Sequence, residues 1–420
     1  MVDAMMSSEA GKVGRLLSRL VEERRSDFVD AGVDDLRFPR SHVDREVDRT
    51  IAALANLETI LPWIEHREPR APLPRRIAIL LPYNFVSHAI AVIAPIAIAG
   101  NAIEVRFSSK SRSVAELSMT ILKHVFGSQI AKNEAQSWQF VDQVLDGPSA
   151  YPMLIAYGGE NLGSSLITYE GRTRIVFEGP GNDPLIASAE PAIEDLATLV
   201  LQCALSQSGQ ECFSTERLII CREDYDEVIE ALKEAFQQVR FGHPSDPETE
   251  VGPLASAALP EIIRAQIEEA QHNGGRVLCG GSVYSDRVEP TLIENVPPES
   301  SVWRDETFGP VVAVRKAETL HAAVREASTS RYGLNVILSG AAAQAIGPLL
   351  VGSRYVSRVD TLRHGLHGTL TEDQPPLSTW RDTYKPLGGW GISGWIREAD
   401  GTMYQGPRVL AYESTLEAKE

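Results

Sequence analysis

From Ile77 to Ile103 the chain carries no Asp, Glu, Lys or Arg, so this whole run has to be withdrawn from water. By length alone it could cross a bilayer. Pro82, Asn84, Ser87, His88, Pro95, Gly100 and Asn101 interrupt it. Two prolines and several polar groups do not suit a lipid-facing helix, whose backbone must satisfy itself. The run reads instead as strand, turn, helix and strand, buried in an α/β core, and no membrane partner is expected.

The pattern on either side agrees with that reading. The first ~75 residues have helical periodicity, with Leu16, Leu17, Leu20 and Val21 on one face and Arg15, Arg19, Glu22, Glu23 and Arg24 on the other. The joint Glu68–Arg76 holds three prolines and is expected to be an extended connection or arm. Strands are then expected at Ile77–Leu81, Ala102–Phe107, Met153–Ala156 and Thr173–Phe177, with a helix over Ser113–Phe126. A second series follows. Helices are expected at Pro191–Ser206, Asp224–Val239 and Ala257–His272, and strands at Arg217–Ile220, Arg276–Cys279 and Val311–Val314. Strands alternating with helices predict parallel sheets covered on both faces. For 420 residues this means two Rossmann-like α/β domains with the active site in the cleft between them.

Composition excludes several classes of function. Asp plus Glu number 57 against 40 Lys plus Arg, a net charge of −17. An acidic surface repels phosphate backbones, so nucleic acid is not an expected partner. Four cysteines, Cys203, Cys212, Cys221 and Cys279, form no C-x-x-C pair, which argues against a disulfide scaffold or thiolate metal site. With no apolar leader in residues 1–40, the expected compartment is a reducing cytoplasm.

Cys203, Cys221 and Cys279 sit in apolar contexts and read as core residues. Cys212 lies in the polar stretch Ser206–Ser214, where a thiol is better placed to ionise; a reactive and a structural role both remain open. Glu178 closes the strand Arg174–Phe177 ahead of Gly179-Pro180-Gly181. That is where α/β folds keep active-site groups, although a solvated loop carboxylate looks the same. Gly158-Gly159, after a short strand, could present helix amides to a phosphate or simply make a turn.

Taken together, these segments resemble the aldehyde dehydrogenase superfamily. Gly209-Gln210-Glu211-Cys212, with Arg217 five residues on, is similar to its cysteine signature. Pro82-Tyr83-Asn84-Phe85 resembles its Pro-Trp-Asn-Phe segment, and Gly100-Asn101 with Arg106 its Gly-Asn…Lys-Pro segment. Glu178-Gly179-Pro180-Gly181, 34 residues before Cys212, resembles its Glu-Leu-Gly-Gly. Asp305-Glu306-Thr307-Phe308-Gly309-Pro310 and Pro386-Leu387-Gly388-Gly389-Trp390 continue the order, so matches run from about Ile77 to Glu398.

The resemblance implies NAD(P)-dependent oxidation of an aldehyde to an acid through a thiohemiacetal and a thioacyl intermediate on Cys212. It makes Asn84 and the Cys212 N–H the oxyanion donors and Glu178 the base that activates water. It places Glu306 on the nicotinamide ribose, Phe308 beside the ring, and Tyr83, Gly158, Gly159 and Gly179 around the dinucleotide. Arg106 stands where Lys is usual, and Ser109 where NAD-preferring members often carry Glu, which with Lys110 favours NADP over NAD. By position, Val86, His88, Glu211, Phe213 and Leu387 line the substrate pocket.

The resemblance also suggests boundaries. A cofactor-binding domain is expected over 1–180, with a reduced oligomerisation arm near 66–76. A catalytic domain follows over 181–390, and 391–420 return to the cofactor domain and form a tail. A homodimer is the expected assembly. Glu211, directly before the nucleophile, would raise the thiol's pKa unless it points away or meets a cation; it could alternatively recognise a cationic group on the substrate. An acylating reductase and a non-catalytic binding subunit are the competing functions, and Glu178 favours hydrolysis over acyl transfer.

Overall fold

The uncharged run opens in β1 (Arg76–Leu80), whose apolar residues are buried on both faces. A strand of this kind belongs in the middle of a parallel sheet. β2 (Ala102–Arg106) and β4 (Met153–Tyr157) flank it in parallel, and β3 (Ile130–Lys132) and β5 (Arg174–Glu178) extend the sheet on either side. The run continues through a turn and the buried helix His88–Ile98 and ends in β2. A computed structural model describes residues 2–59, 76–147, 151–188, 192–339, 369–372, 387–404 and 406–408. Most of the expected arm, up to residue 75, and the tail from 409 lie outside the described residues. Of Leu387 only the backbone is described.

The second sheet is built from β6 (Asp183–Ala187), β7 (Thr215–Ile220), β8 (Arg276–Cys279), β9 (Thr291–Glu294), β10 (Val311–Lys316), β12 (Asn335–Ser339) and β13 (Thr369–Glu372). Their order is β13-β12-β6-β7-β10-β9-β8, parallel except for β8 at the edge. The boundary between the two sheets therefore falls between Glu178 and Asp183. β6 was not legible in the sequence. Asp183 and Pro184 are poor strand formers, but the β6–β7 register shifts between them, and all five residues are buried. Tertiary burial overrides local preference here.

β11 (Tyr332–Gly333), β14 (Leu387–Gly391) and β17 (Gly406–Arg408) make a small antiparallel sheet. β15 (Gly394–Arg397) then returns to the first sheet. It lies antiparallel to β5, with Gly394 opposite Glu178, and β16 (Met403–Tyr404) pairs beyond it.

Among the described residues, three α-helices precede β1: α1 (Val2–Glu23), α2 (Arg25–Leu36) and α3 (Arg40–Ala55). Leu17, Val21, Phe28, Val43 and Val47 join Ile77, Ile79, Val86 and Ile90 in one apolar core, so these helices cover one face of the first sheet. No helix among the described residues is long and apolar enough to cross a membrane.

Candidate active site

The stretch before Cys212 is held in an unfavourable backbone conformation. Gln207, Ser208 and Gly209 have φ of 48°, 61° and 76°, three consecutive left-handed residues. A non-glycine residue there costs about 1–3 kcal/mol and persists only where its surroundings over-determine it. They do so here. The Gln207 N–H donates to His42 Nδ1 at 2.9 Å, and Ser208 Oγ accepts from the Gly252 N–H at 3.0 Å. At Gly209 a Cβ would lie 2.3 Å from the backbone of Gly309, so only glycine fits. The turn delivers Cys212 to the mouth of β7.

Gln210, wholly buried, ties this turn to the segment after β1. Its side-chain oxygen accepts from the Ala255 N–H at 2.9 Å and from the Tyr83 hydroxyl at 3.3 Å. Its carbonyl accepts from Asn84 Nδ2 at 3.0 Å. One amide hydrogen of Asn84 is thereby committed to the Cys212 turn, and the second remains on a side chain that faces the cavity. The Cys212 N–H makes no hydrogen bond to any described residue.

Glu178 ends β5, and Glu306 lies in the segment leading to β10. Glu306 Oε1 accepts from the Gly181 N–H at 2.8 Å, which joins the two glutamate segments. Phe308 has a left-handed φ of 55°. It is held by the buried Glu216, whose carboxyl accepts from the Thr307 and Phe308 amides at 2.8 and 2.7 Å. The Phe308 ring meets Tyr83 edge-on, with centroids 6.2 Å apart.

These groups surround one cavity of about 760 Å³. It gathers Tyr83, Asn84, His88, Gly158, Gly159, Glu178, Gly179, Glu211, Cys212, Phe213, Glu306 and Phe308 from segments belonging to both sheets. Three residues expected at the site do not line it. Val86 is buried in the core under α3, because its position in the turn points it inward. Arg106 turns its guanidinium to the Ala135 carbonyl. Ser109 is exposed beyond the lining residue Ser108.

The electrostatics correct one expectation. Burial, followed by Glu306, Asp183, Glu211 and Glu178, pushes the Cys212 thiol well above its ordinary pKa. A polar sequence context does not yield a thiolate when the polar neighbours are carboxylates. Burial also pushes Glu306 up to about 8, and holds His42 and His88 down at about 3, so both imidazoles are neutral. Glu211 meets a cation: its Oε1 is 3.6 Å from the Arg49 guanidinium of α3. Even so paired, Glu211 still raises the thiol's pKa.

The cavity fits a dinucleotide. Gly159 caps the helix Glu160–Ile167, and a Cβ there would meet nothing within 4 Å. The first amides of that helix therefore face open space suited to a diphosphate. Glu306 can accept from a sugar hydroxyl, and Trp138 and Val141 of the helix Ser137–Leu145 give an apolar wall.

Several residues of the site were missed in the sequence. Glu46 and Arg49 on α3, Trp138, Gln207 and Tyr157 all line the cavity, and Glu216 supports it from beneath. Only α3 carried a signal, since His42, Glu46 and Thr50 are polar residues at one-turn spacing on its inward face.

A two-sheet α/β fold with a cysteine, an amide and two glutamates in one cleft defines a class of oxidoreductase, and the comparisons with known proteins specify it. The family model described as "Aldehyde dehydrogenase family" matches residues 3–350. The chain belongs to the aldehyde dehydrogenase family, NAD(P)-dependent oxidoreductases that act on aldehydes. It is 28% identical over 344 residues to sulfoacetaldehyde dehydrogenase of Neptuniibacter caesariensis, covering 81% of this chain and 71% of that one. It is 29% identical to lactaldehyde dehydrogenase of Escherichia coli over 66% of this chain and 61% of that one. Among solved structures, aldehyde dehydrogenase 21 of Physcomitrella patens with succinate superposes with a TM-score of 0.79 at 22% identity. That match covers 98% of this chain and 85% of the moss protein. Aldehyde dehydrogenase C of Pseudomonas syringae, with NAD+ and octanal, gives 0.81 at 19% identity, over 98% and 83%. These likenesses establish the fold, and family membership makes the cofactor NAD or NADP.

Proposed function

We propose that this chain oxidises an aldehyde to a carboxylic acid on Cys212. The reading is carried by one observation: Cys212, Asn84, Glu178 and Glu306 all line a single cavity. The Cys212 thiol is neutral at rest, so its proton passes to solvent as the sulfur adds to the carbonyl carbon. The second amide hydrogen of Asn84 and the Cys212 N–H are the donors available to the oxyanion so formed. A bound nicotinamide dinucleotide supplies the hydride-accepting chemistry that raises the carbon on Cys212 from the aldehyde to the acyl level. Glu178 then takes a proton from water, the water oxygen adds to the acyl carbon, and the C–S bond breaks to release the acid, the proton on Glu178 returning to the sulfur to restore the thiol.

The same proposal assigns 1–180 to cofactor binding and 181–390 to catalysis, with 391–420 returning to the first sheet. NADP is favoured over NAD because Ser109 puts no carboxylate beside Lys110, although Arg106 is engaged with Ala135. A homodimer in a reducing cytoplasm completes it, in keeping with four free cysteines.

The test is a panel of aliphatic, hydroxylated and carboxylated aldehydes with each cofactor, followed by absorbance of the reduced form. Cys212→Ala is expected to abolish turnover. Glu178→Gln is expected to give a stoichiometric burst and then steady turnover lowered about 10²–10⁴-fold. Turnover that depends on coenzyme A would replace hydrolysis by acyl transfer, and turnover retained in Cys212→Ala would end the reading.

A further inference from the structure

α3 precedes both sheets in the chain, yet its inward face grips the two segments that carry the reacting groups. Glu46 is 2% exposed and accepts three hydrogen bonds. Its Oε1 takes the Val86 N–H at 3.0 Å and the His88 N–H at 2.9 Å, and its Oε2 takes the Gln207 side-chain amide at 2.9 Å. One turn earlier, His42 accepts from the Gln207 N–H; one turn later, Thr50 accepts from the Ser87 hydroxyl at 2.9 Å. Asn84 stands two residues before Val86, and Cys212 five residues after Gln207. A single carboxylate thus bridges a segment of the first sheet to a segment of the second. It does so beside the left-handed residues Gln207 and Ser208, whose conformation needs outside support.

We infer that Glu46 is a positioning residue, whose carboxylate holds the Asn84 amide and the Cys212 backbone N–H in the relative place that the tetrahedral oxyanion requires. The inference rests on the proposed role of Cys212 and Asn84. Two oxygens serving three donors fix both segments at once, which a hydrophobic contact could not do, because apolar packing is non-directional. The groups facing Glu46 are few. His42, Arg45 and Arg49 lie on its own helix, His88 follows β1, and Glu211 lies on the cysteine turn. Burial pushes the carboxyl up to about 7.

The experiment measures kcat, KM for cofactor, and the burst of reduced cofactor per folded chain. It compares the parent chain with Glu46→Leu, Glu46→Gln, Gln207→Met and Cys212→Ala. Displacing a catalytic group by about 1 Å can cost ~10²-fold, so Glu46→Leu is expected to lower kcat by about 10–100-fold with cofactor KM within about twofold. Glu46→Gln, which still accepts the Val86 and His88 amides and can pair with a turned Gln207, is expected to recover most of that loss. Gln207→Met breaks the bridge from the other side, and covers the case in which Glu46→Leu fails to fold. Leu and Met variants that both turn over within twofold of the parent would overturn the inference, as would a Gln variant no faster than the Leu variant. Those results with an inert Cys212→Ala sink the positioning role alone, whereas an active Cys212→Ala sinks the reading beneath it as well.

Discussion

Arg49 and Glu211 stand 3.6 Å apart on the cavity wall, one on α3 and the other directly before Cys212. The pair offsets a negative charge that would otherwise add fully to those of Glu306, Asp183 and Glu178 around the thiol. Arg49→Gln is expected to slow alkylation of Cys212 by iodoacetamide about threefold to tenfold, since an uncompensated neighbouring carboxylate disfavours the thiolate. Glu211→Gln is expected to accelerate it. The double variant should return towards the parent rate, and an additive cycle would show that the two side chains do not act on the thiol as a pair.

The carboxylates around Cys212 also predict how stability varies with pH. Glu306 is pushed from the ordinary 4.5 up to about 8, with burial as the first cause. A raised carboxyl pKa means that the folded chain binds the proton more tightly than the unfolded chain. This contribution is complete below about pH 4.5 and is lost as pH rises through about 8. In urea unfolding without cofactor, the parent is expected to lose stability over that window and Glu306→Gln to lose less. Equal slopes for the two chains would contradict the assignment.

Glu216 holds the left-handed turn at Phe308 through two amide hydrogen bonds. Removing the carboxyl leaves two buried N–H groups without an acceptor, at about 1–3 kcal/mol each. Glu216→Ala is expected to lower the urea midpoint accordingly, with the denaturant slope unchanged. Cofactor KM should rise as Phe308 shifts. A midpoint within error of the parent would mean that water takes the place of the carboxyl.

Trp138 is 65% exposed although it lines the cavity. An apolar ring held open to solvent at the rim of the cavity is placed to cover a flat base if the dinucleotide binds as proposed. Trp138→Ala is expected to raise cofactor KM about threefold to tenfold with kcat unchanged, in line with ~1 kcal/mol for an aromatic contact. Quenching of tryptophan fluorescence by cofactor should disappear in the variant, and quenching that persists would place the base elsewhere.

Most of the architecture was legible because it is written locally. The run Ile77–Ile103 contains no charge, so its strand and helix had to be interior. Alternating strands and helices dictated parallel sheets, and the resemblance of the short motifs to a known family implied that Asn84, Glu178, Cys212 and Glu306 share the cavity that they line. Local patterns failed where burial outweighed preference, as at Asp183-Pro184 in β6. They also failed where a residue's neighbours decided its charge, as at Cys212.

What the sequence determined by itself is the class of fold and, through motifs that resemble those of a known family, which residues to expect in the cleft, because periodicity and motif order are properties of residues close in the chain. The tertiary structure alone decided how those groups are held and charged. Glu46 reaches Gln207 across 161 residues, and Arg49 reaches Glu211 from the same helix. A helical stripe states which face turns inward but not what it will meet. Contacts made at such separations, and the desolvation that sets the pKa of each buried acid, exist only once the two sheets have closed around the cleft.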